Sequence, residues 1–233
     1  MNSPKLSIIV PVYNEEKTVG VMLKRLLLVP FLEWTTEIIV VNDGSIDNTA
    51  SVLDSFPSLV KVINLKKNSG KGSAVKEGLK AATGDFAIIQ DADLECQPEE
   101  IPLLLASLKN VTPGAKIAVI GSRELHKDNH KSLILSRMGS LSITKLINIL
   151  YGSSLTDALM GYKLFPKATF GYFTTGGFES EVLFMTRLLK EGYRIIEVPV
   201  SYNPRSNKDG KKMKYRHGFK TIIRLFFFKI TGR

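Results

Sequence analysis

The chain reads as an α/β protein, with a mostly parallel central sheet flanked by helices. Short β-rich apolar runs alternate with segments of helical apolar spacing from Leu6 to Ile120, the pattern of strands joined by crossover helices. Those runs are apolar at nearly every position, as strands buried on both faces are. Each also ends in a polar, turn-forming cluster, which puts ligand-competent residues outside the carboxyl ends of the strands. At 233 residues and 44% hydrophobic content the chain can fill one domain, and no internal repeat or low-complexity stretch divides it.

Taken in order, Leu6 to Val12 is the first strand, and Tyr13-Asn14-Glu15-Glu16 leads into a helix from Lys17 to Leu28 that Pro30 ends. The second strand, Glu37 to Asn42, stops at Asn42-Asp43-Gly44-Ser45, and Asp47-Asn48-Thr49 reads as a helix N-cap. Val60 to Leu65 is the third strand. Asn68 to Ser73 then opens a helix running to Ala82, with Gly84-Asp85 as its stop. The fourth strand is Phe86 to Gln90, its helix starts at Pro98, and a fifth strand from Ile117 to Ile120 ends in Gly121-Ser122-Arg123. After Arg123 the alternation loosens. Glu124 to Lys131 is polar and expected to be mobile, Leu133 to Leu150 is helical, and Tyr162 to Pro166 is a short return into the sheet. A helix from Glu179 to Lys190, a strand from Arg194 to Tyr202 and a basic loop from Asn203 to Lys214 follow. The expected division is one domain over residues 1–217 with an appended amphipathic helix over 218–233.

Charge is concentrated at the end of the chain. From Arg187 to Arg233 thirteen Lys and Arg face three acids, so this stretch carries the whole formal charge of +10. A basic tail meets phosphates of a nucleotide, a nucleic acid or a lipid headgroup, or simply keeps the chain soluble. Nucleic acid is not expected as the partner, because the loop from Asn203 to Arg216 is bordered by only Tyr202 and Tyr215 as stacking groups. A single cysteine, Cys96, rules out an internal disulfide framework. No secretory leader is expected from Met1 to Val12, and no stretch reaches the roughly 20 apolar residues of a bilayer span.

Ile88-Ile89-Gln90-Asp91-Ala92-Asp93-Leu94-Glu95 is the most informative stretch, an apolar run that ends in three acids. Were the extension to persist past Ala92, Asp91, Asp93 and Glu95 would project on one side and repel one another unless a cation sat between them. Hard oxygen ligands at a strand end suit Mg2+ or Mn2+ bridged to a ligand's phosphates. An acidic turn capping the next helix is the alternative reading. Asn68-Ser69-Gly70-Lys71-Gly72-Ser73 lacks the spacing of known phosphate loops, and a tight turn explains it as well as an anion site does. Asp43 ends one strand and Asp91 another, so the two acids can converge on one crevice, where an acid accepts hydrogen bonds from a nucleotide's base or ribose. A dinucleotide-linked dehydrogenase is disfavoured, since the first strand leads into Pro-Val-Tyr-Asn-Glu and not into a glycine-rich turn.

Tyr13-Asn14-Glu15, Asn42-Asp43-Gly44-Ser45, Asn68 to Gly72, Asp91-Ala92-Asp93 and Gly121-Ser122-Arg123 follow successive strands in a fixed order. In that order the chain resembles glycosyltransferase family 2, of GT-A fold, and within it dolichyl-phosphate mannose synthases and other polyprenyl-phosphate sugar transferases. Later marks of the likeness are Leu155-Thr156-Asp157, Gly161-Tyr162-Lys163, Glu197 to Tyr202 and Pro204-Arg205. The resemblance implies that Pro11, Tyr13, Glu15 and Asp43 hold the donor's nucleoside, and that Asp91, Ala92 and Asp93 bind metal and diphosphate, with Glu95 as a further metal ligand. It also implies that Arg123 and Arg137 receive an acceptor phosphate, and that Arg205 and Lys211 close over the donor phosphates. Asp93, Arg123 and Arg205 then carry the catalysis. The family's Asp-Asp-Gly is Asn42-Asp43-Gly44 here, so one acid is missing.

The expected activity is metal-dependent, inverting transfer of a hexose from GDP-mannose or UDP-glucose to a polyprenyl phosphate. An ionised phosphate acceptor needs arginines and no base, whereas a hydroxyl acceptor, the alternative, needs Glu179 or Glu181 as base. A nucleotide-sugar-binding module without turnover is the reading from another class. Phe219, Ile222, Ile223, Leu225 to Phe228 and Ile230, interrupted by Lys220, Arg224 and Lys229, form either a membrane-interfacial helix or a helix packed on the domain. The first option implies peripheral attachment on the cytoplasmic face of a membrane.

Overall fold

The computed structural model describes residues 3–56, 58–109, 111–112, 114–127, 129, 134–205 and 215–231. β1 (Lys5–Val12), β2 (Thr35–Asn42), β3 (Lys61–Asn64), β4 (Phe86–Ile89), β5 (Ile117–Ser122), β6 (Lys163–Pro166) and β7 (Arg194–Pro199) form one sheet in the order β3-β2-β1-β4-β6-β5-β7. All neighbours are parallel except β6, which runs antiparallel to both β4 and β5 and separates them. The chain builds outward from β1 through β2 to β3, then returns across β1 to place β4 on its other side. That reversal opens a crevice above the carboxyl ends of β1 and β4. Ile9 pairs with Ile89, the last residue of β4, so β1 continues past the level at which β4 stops.

Alternation along the strands splits the core in two. Leu6, Ile8 and Val10 face α1 (Val19–Leu27) through Met22, Leu23 and Leu26, and α4 (Ile101–Ala106) through Leu104. Ile9, Ile39 and Val41 face α3 (Lys71–Ala81) through Ala74, Val75 and Leu79, beside a cluster of Phe165, Phe173 and Phe184. A third cluster joins Ile143 and Ile147 of α5 (Ile134–Tyr151), Val182 and Met185 of α6 (Glu179–Lys190) and Leu225 of α7 (Tyr215–Thr231). Full burial of a side chain such as Leu225 contributes about 2 kcal/mol. α7 is apolar on two sides: Thr221, Leu225 and Phe228 are buried, while Ile223, Phe226, Phe227 and Ile230 are exposed at the spacing of a single helix face. No described helix is long and apolar enough to cross a membrane.

Several boundaries differ from the sequence reading. α1 begins at Val19 because the backbone amides of Thr18 and Val19 both bond Glu15 O in a preceding turn. α2 (Thr49–Leu53) is held at its start by Asp47, whose Oδ1 accepts Thr49 N–H at 3.0 Å, and not by Asn48. A 3-10 turn, Pro98–Glu100, precedes α4. β7 ends at Pro199, short of Tyr202. The segment expected to be mobile after Arg123 is tied down at Asn129, whose side chain donates to Arg123 O and Val200 O and accepts from Tyr202 N–H. The appended helix starts at Tyr215, three residues before the expected boundary at residue 218.

Candidate active site

The loops that follow the parallel strands are stitched to one another before any ligand is considered. Asn14 adopts φ 49°, which asparagine tolerates, and links two loops by donating N–H to Ser45 Oγ at 3.0 Å and accepting from Ile46 N–H at 2.9 Å. Asn42 donates Nδ2–H to Asn64 Oδ1 at 2.9 Å and accepts from Ser45 N–H. The amide at 42 thus serves as donor and acceptor at once. Asp43 is buried and accepts the amides of Ser69 and Gly70, each at 2.8 Å. Burial holds its carboxyl above the usual carboxylate range, against the lowering effect of those two amides.

Gly70, at φ 93°, turns the chain into α3. A Cβ at Gly72 would lie 2.1 Å from Ser180 Oγ, so the starts of α3 and α6 approach more closely than any other residue permits. Ser73 and Gly176 close the contact by exchanging hydrogen bonds. This approach brings Lys71, Asp91 and Glu181 together: Lys71 Nζ lies 2.6 Å from Asp91 Oδ1, 2.8 Å from Asp91 Oδ2 and 2.5 Å from Glu181 Oε1. Glu181 also pairs with the buried Lys163 at 3.1 Å, and Lys163 Nζ donates to Met160 O. Burial works to raise the Glu181 carboxyl, but the two lysines overcome it and hold the group low, hence ionised. Glu179 is buried with Arg224 of α7 at 3.4 Å.

The acidic stretch does not continue as a strand. β4 ends at Ile89 and Leu94 takes φ 62°, so residues 91–95 leave the strand in a turn and each carboxylate finds its own partners. Asp91 meets Lys71. Glu95 is engaged by the Tyr202 hydroxyl at 2.7 Å and the Arg205 amide at 2.9 Å. Asp93 accepts Glu95 N–H at 3.1 Å, and burial, with Asp91 and Glu95 nearby, raises its carboxyl to about 7. Among the described residues no three of His, Cys, Asp and Glu converge as a metal cage. Two half-buried aspartates that disfavour each other's charge still fit a divalent ion, provided waters and a ligand's phosphates complete its shell. Ala92 is buried.

Arg205 crosses the crevice. Its Nε donates to Asp93 O at 2.8 Å, and its Nη1 and Nη2 grip Glu15 at 3.1 Å and 2.8 Å. Thr18 reinforces Glu15 at 2.6 Å. Pro11 and Tyr13 lie half-buried at the same end of β1. Arg123, at the end of β5, makes two 2.7 Å bonds to the buried Asp157 and stands 4.9 Å from the Tyr202 ring. Arg137 pairs with Glu124, the neighbour of Arg123, through bonds of 2.5–3.1 Å. Lys211 lies outside the described residues. The network of Lys71, Glu181 and Lys163 and the role of Asp157 were not foreseen. A lysine inside the apolar strand Lys163–Pro166 was their signal, since such a cation requires a buried acid.

Residues 7–183 match the family described as Glycosyl transferase family 2. The chain belongs to that family. Among similar proteins, a dolichyl-phosphate beta-glucosyltransferase of Trichomonas vaginalis is 32% identical over 98% of this chain and 74% of its own length. An undecaprenyl-phosphate 4-deoxy-4-formamido-L-arabinose transferase of Proteus mirabilis is 35% identical over 66% of this chain and 46% of its own. The family 2 chain thus spans under half the length of that bacterial relative. In fold it is similar to glucosyl-3-phosphoglycerate synthase of Mycobacterium tuberculosis in complex with UDP, at TM-score 0.70 and 19% identity, covering 95% of this chain and 79% of that one. The same enzyme with Mn2+, UDP and phosphoglyceric acid aligns at TM-score 0.68 and 20% identity, over 95% and 78% of the two chains. The likeness supports the GT-A architecture.

Proposed function

We propose that this family 2 chain is an inverting, metal-dependent hexosyltransferase that moves a sugar from GDP-mannose or UDP-glucose to a polyprenyl phosphate. The observation that carries the choice of acceptor is the state of Glu181. A hydroxyl acceptor needs a carboxylate free to take its proton, and Glu181 is buried between Lys71 and Lys163. Glu179, the other candidate, is buried against Arg224. A phosphate acceptor arrives ionised and needs only to be held. Arg123, whose plane Asp157 fixes, and Arg137 on α5 are the groups assigned to hold it.

In this reading an acceptor phosphate oxygen forms the new bond to the anomeric carbon as the bond from that carbon to the diphosphate oxygen breaks, and no proton changes place. Pro11, Tyr13, Glu15 and Asp43 surround the nucleoside, and Arg205 with Lys211 neutralises the departing diphosphate. Asp91 and Asp93 would hold Mg2+ or Mn2+, with Glu95 engaged by Tyr202 and Arg205 and so one step removed. The metal would supply Lewis-acid stabilisation of the leaving group. The exposed stripe of α7 supports peripheral contact with a membrane, on its cytoplasmic face where nucleotide sugars are met.

Incubation with Mn2+ and either donor tests the reading. Nucleotide release is expected only when a short polyprenyl phosphate is present, and release supported by a simple saccharide instead would overturn it. Asp93→Ala should lower turnover at least about 100-fold, in line with removal of a charge-stabilising group, with an unchanged melting temperature.

A further inference from the structure

Lys71 places one ammonium on both oxygens of Asp91 while also touching Glu181. Its side chain is 14% exposed, and among the described residues Asp91 pairs with no other cation. Glu181 differs, because the buried Lys163 covers part of its charge from the other side. Asp91 is itself 22% exposed, and a side chain at Gly161 would crowd it, since a Cβ there would stand 2.6 Å from Asp91 Oδ2 and 3.7 Å from Lys71 Nζ. A second cation can therefore reach this carboxylate, but only against the ammonium already there, since two cations on one half-buried carboxylate repel each other.

We propose that Lys71 is a placeholder counter-ion, displaced from Asp91 when a divalent ion binds, and that Glu181 retains the displaced ammonium beside the donor's diphosphate. Lys71 then serves the site twice. Without metal it neutralises Asp91, and with metal it adds one positive charge where the leaving group departs. Glu181 is the pivot of the exchange, which gives this buried acid a task other than proton transfer. The inference rests on the metal-dependent reading above.

Mn2+ binding, followed by the electron paramagnetic resonance of the free ion, tests it without turnover. With Mn2+ alone, Lys71→Met should bind about tenfold more tightly than the parent chain, because a competing cation is gone. Glu181→Gln, which leaves Lys71 to Asp91 alone, should bind severalfold more weakly. A merely structural role for the triad predicts weaker binding in both variants, and that result, or equal affinities, overturns the proposal. Should Lys71→Met fail to fold, Lys71→Gln, which keeps a polar side chain without the charge, takes its place, with unchanged or weaker binding as the contrary result. If the parent chain takes up no Mn2+ even with UDP or GDP present, the metal-dependent reading fails as well. If it takes up Mn2+ with nucleotide and Lys71→Met binds no more tightly, the displacement alone fails.

Discussion

Asp157 makes no contact with the crevice's acidic turn, yet it determines where a central side chain points. Its carboxylate is 2% exposed and holds Arg123 by two bonds of 2.7 Å and the Arg123 amide by a third. Asp157→Ala leaves a largely buried guanidinium unpaired, and denaturant melts should show a loss of about 3 kcal/mol. A loss below about 1 kcal/mol would mean that Arg123 finds another anion and that its position is not set by Asp157. At this scale the sequence was half legible. Asp43 and Asp91 were readable because each follows an apolar run, which fixes a strand end. Their partners were not: Lys71 reaches Asp91 from the start of another element, and Glu181 reaches Lys71 from a third, distances in sequence that no local pattern encodes. The extension on which Asp91, Asp93 and Glu95 would share one side stops at Ile89, where residues 92–93 turn and Leu94 follows at positive φ, an end that the apolar run before it does not announce.

Elements meet through polar staples as well as apolar faces. Glu37 near the start of β2 accepts Ser7 Oγ–H of β1 at 2.6 Å and both the amide and the hydroxyl of Thr83 in the turn between α3 and β4, with Lys5 at 3.2 Å. Burial alone would raise its carboxyl, but these donors lower it from the ordinary 4.5 to about 2. The folded value lies below the unfolded one, so the stabilisation is complete above about pH 5 and is lost as pH falls toward 2. A depression of that size corresponds to at most about 3 kcal/mol. Compared with Glu37→Gln, the parent chain should be more stable at pH 7, with the difference narrowing steadily from pH 5 to pH 3 in urea titrations. A difference independent of pH would show that the hydrogen bonds act without the charge. Most elements were legible because apolar periodicity sets them; α6 matches its expected residues from end to end. Ends set by partners from elsewhere, such as the last residue of β7 and the turn before α1, were read less well.

Across the whole molecule, charge and exposed apolar surface are unevenly spread. Neither α5 nor α7 contains an acidic residue, and α7 turns Ile223, Phe226, Phe227 and Ile230 outward while α5 exposes Met138, Leu141 and Ile149. Lys229 fastens the two helices by donating to Leu150 O at 2.6 Å. Such exposed apolar and basic groups suit an anionic bilayer surface, in keeping with the lipid-linked acceptor proposed above. Phe226→Ser with Phe227→Ser should weaken flotation with phosphatidylserine vesicles at least about tenfold at low salt, because these rings are exposed and their loss leaves the core intact. Unchanged flotation, or a melting temperature several degrees lower, would count against an interfacial role for this stripe.

The reversed strand β6 has a consequence for any redesign of substrate reach. By lying between β4 and β5 it holds those two strands two spacings apart, about 9.5 Å, along a direction fixed by backbone hydrogen bonds. It acts as a spacer bar between two halves of a workbench. Side-chain changes can alter the loops at either strand end, but the distance between the two strands is built into the sheet.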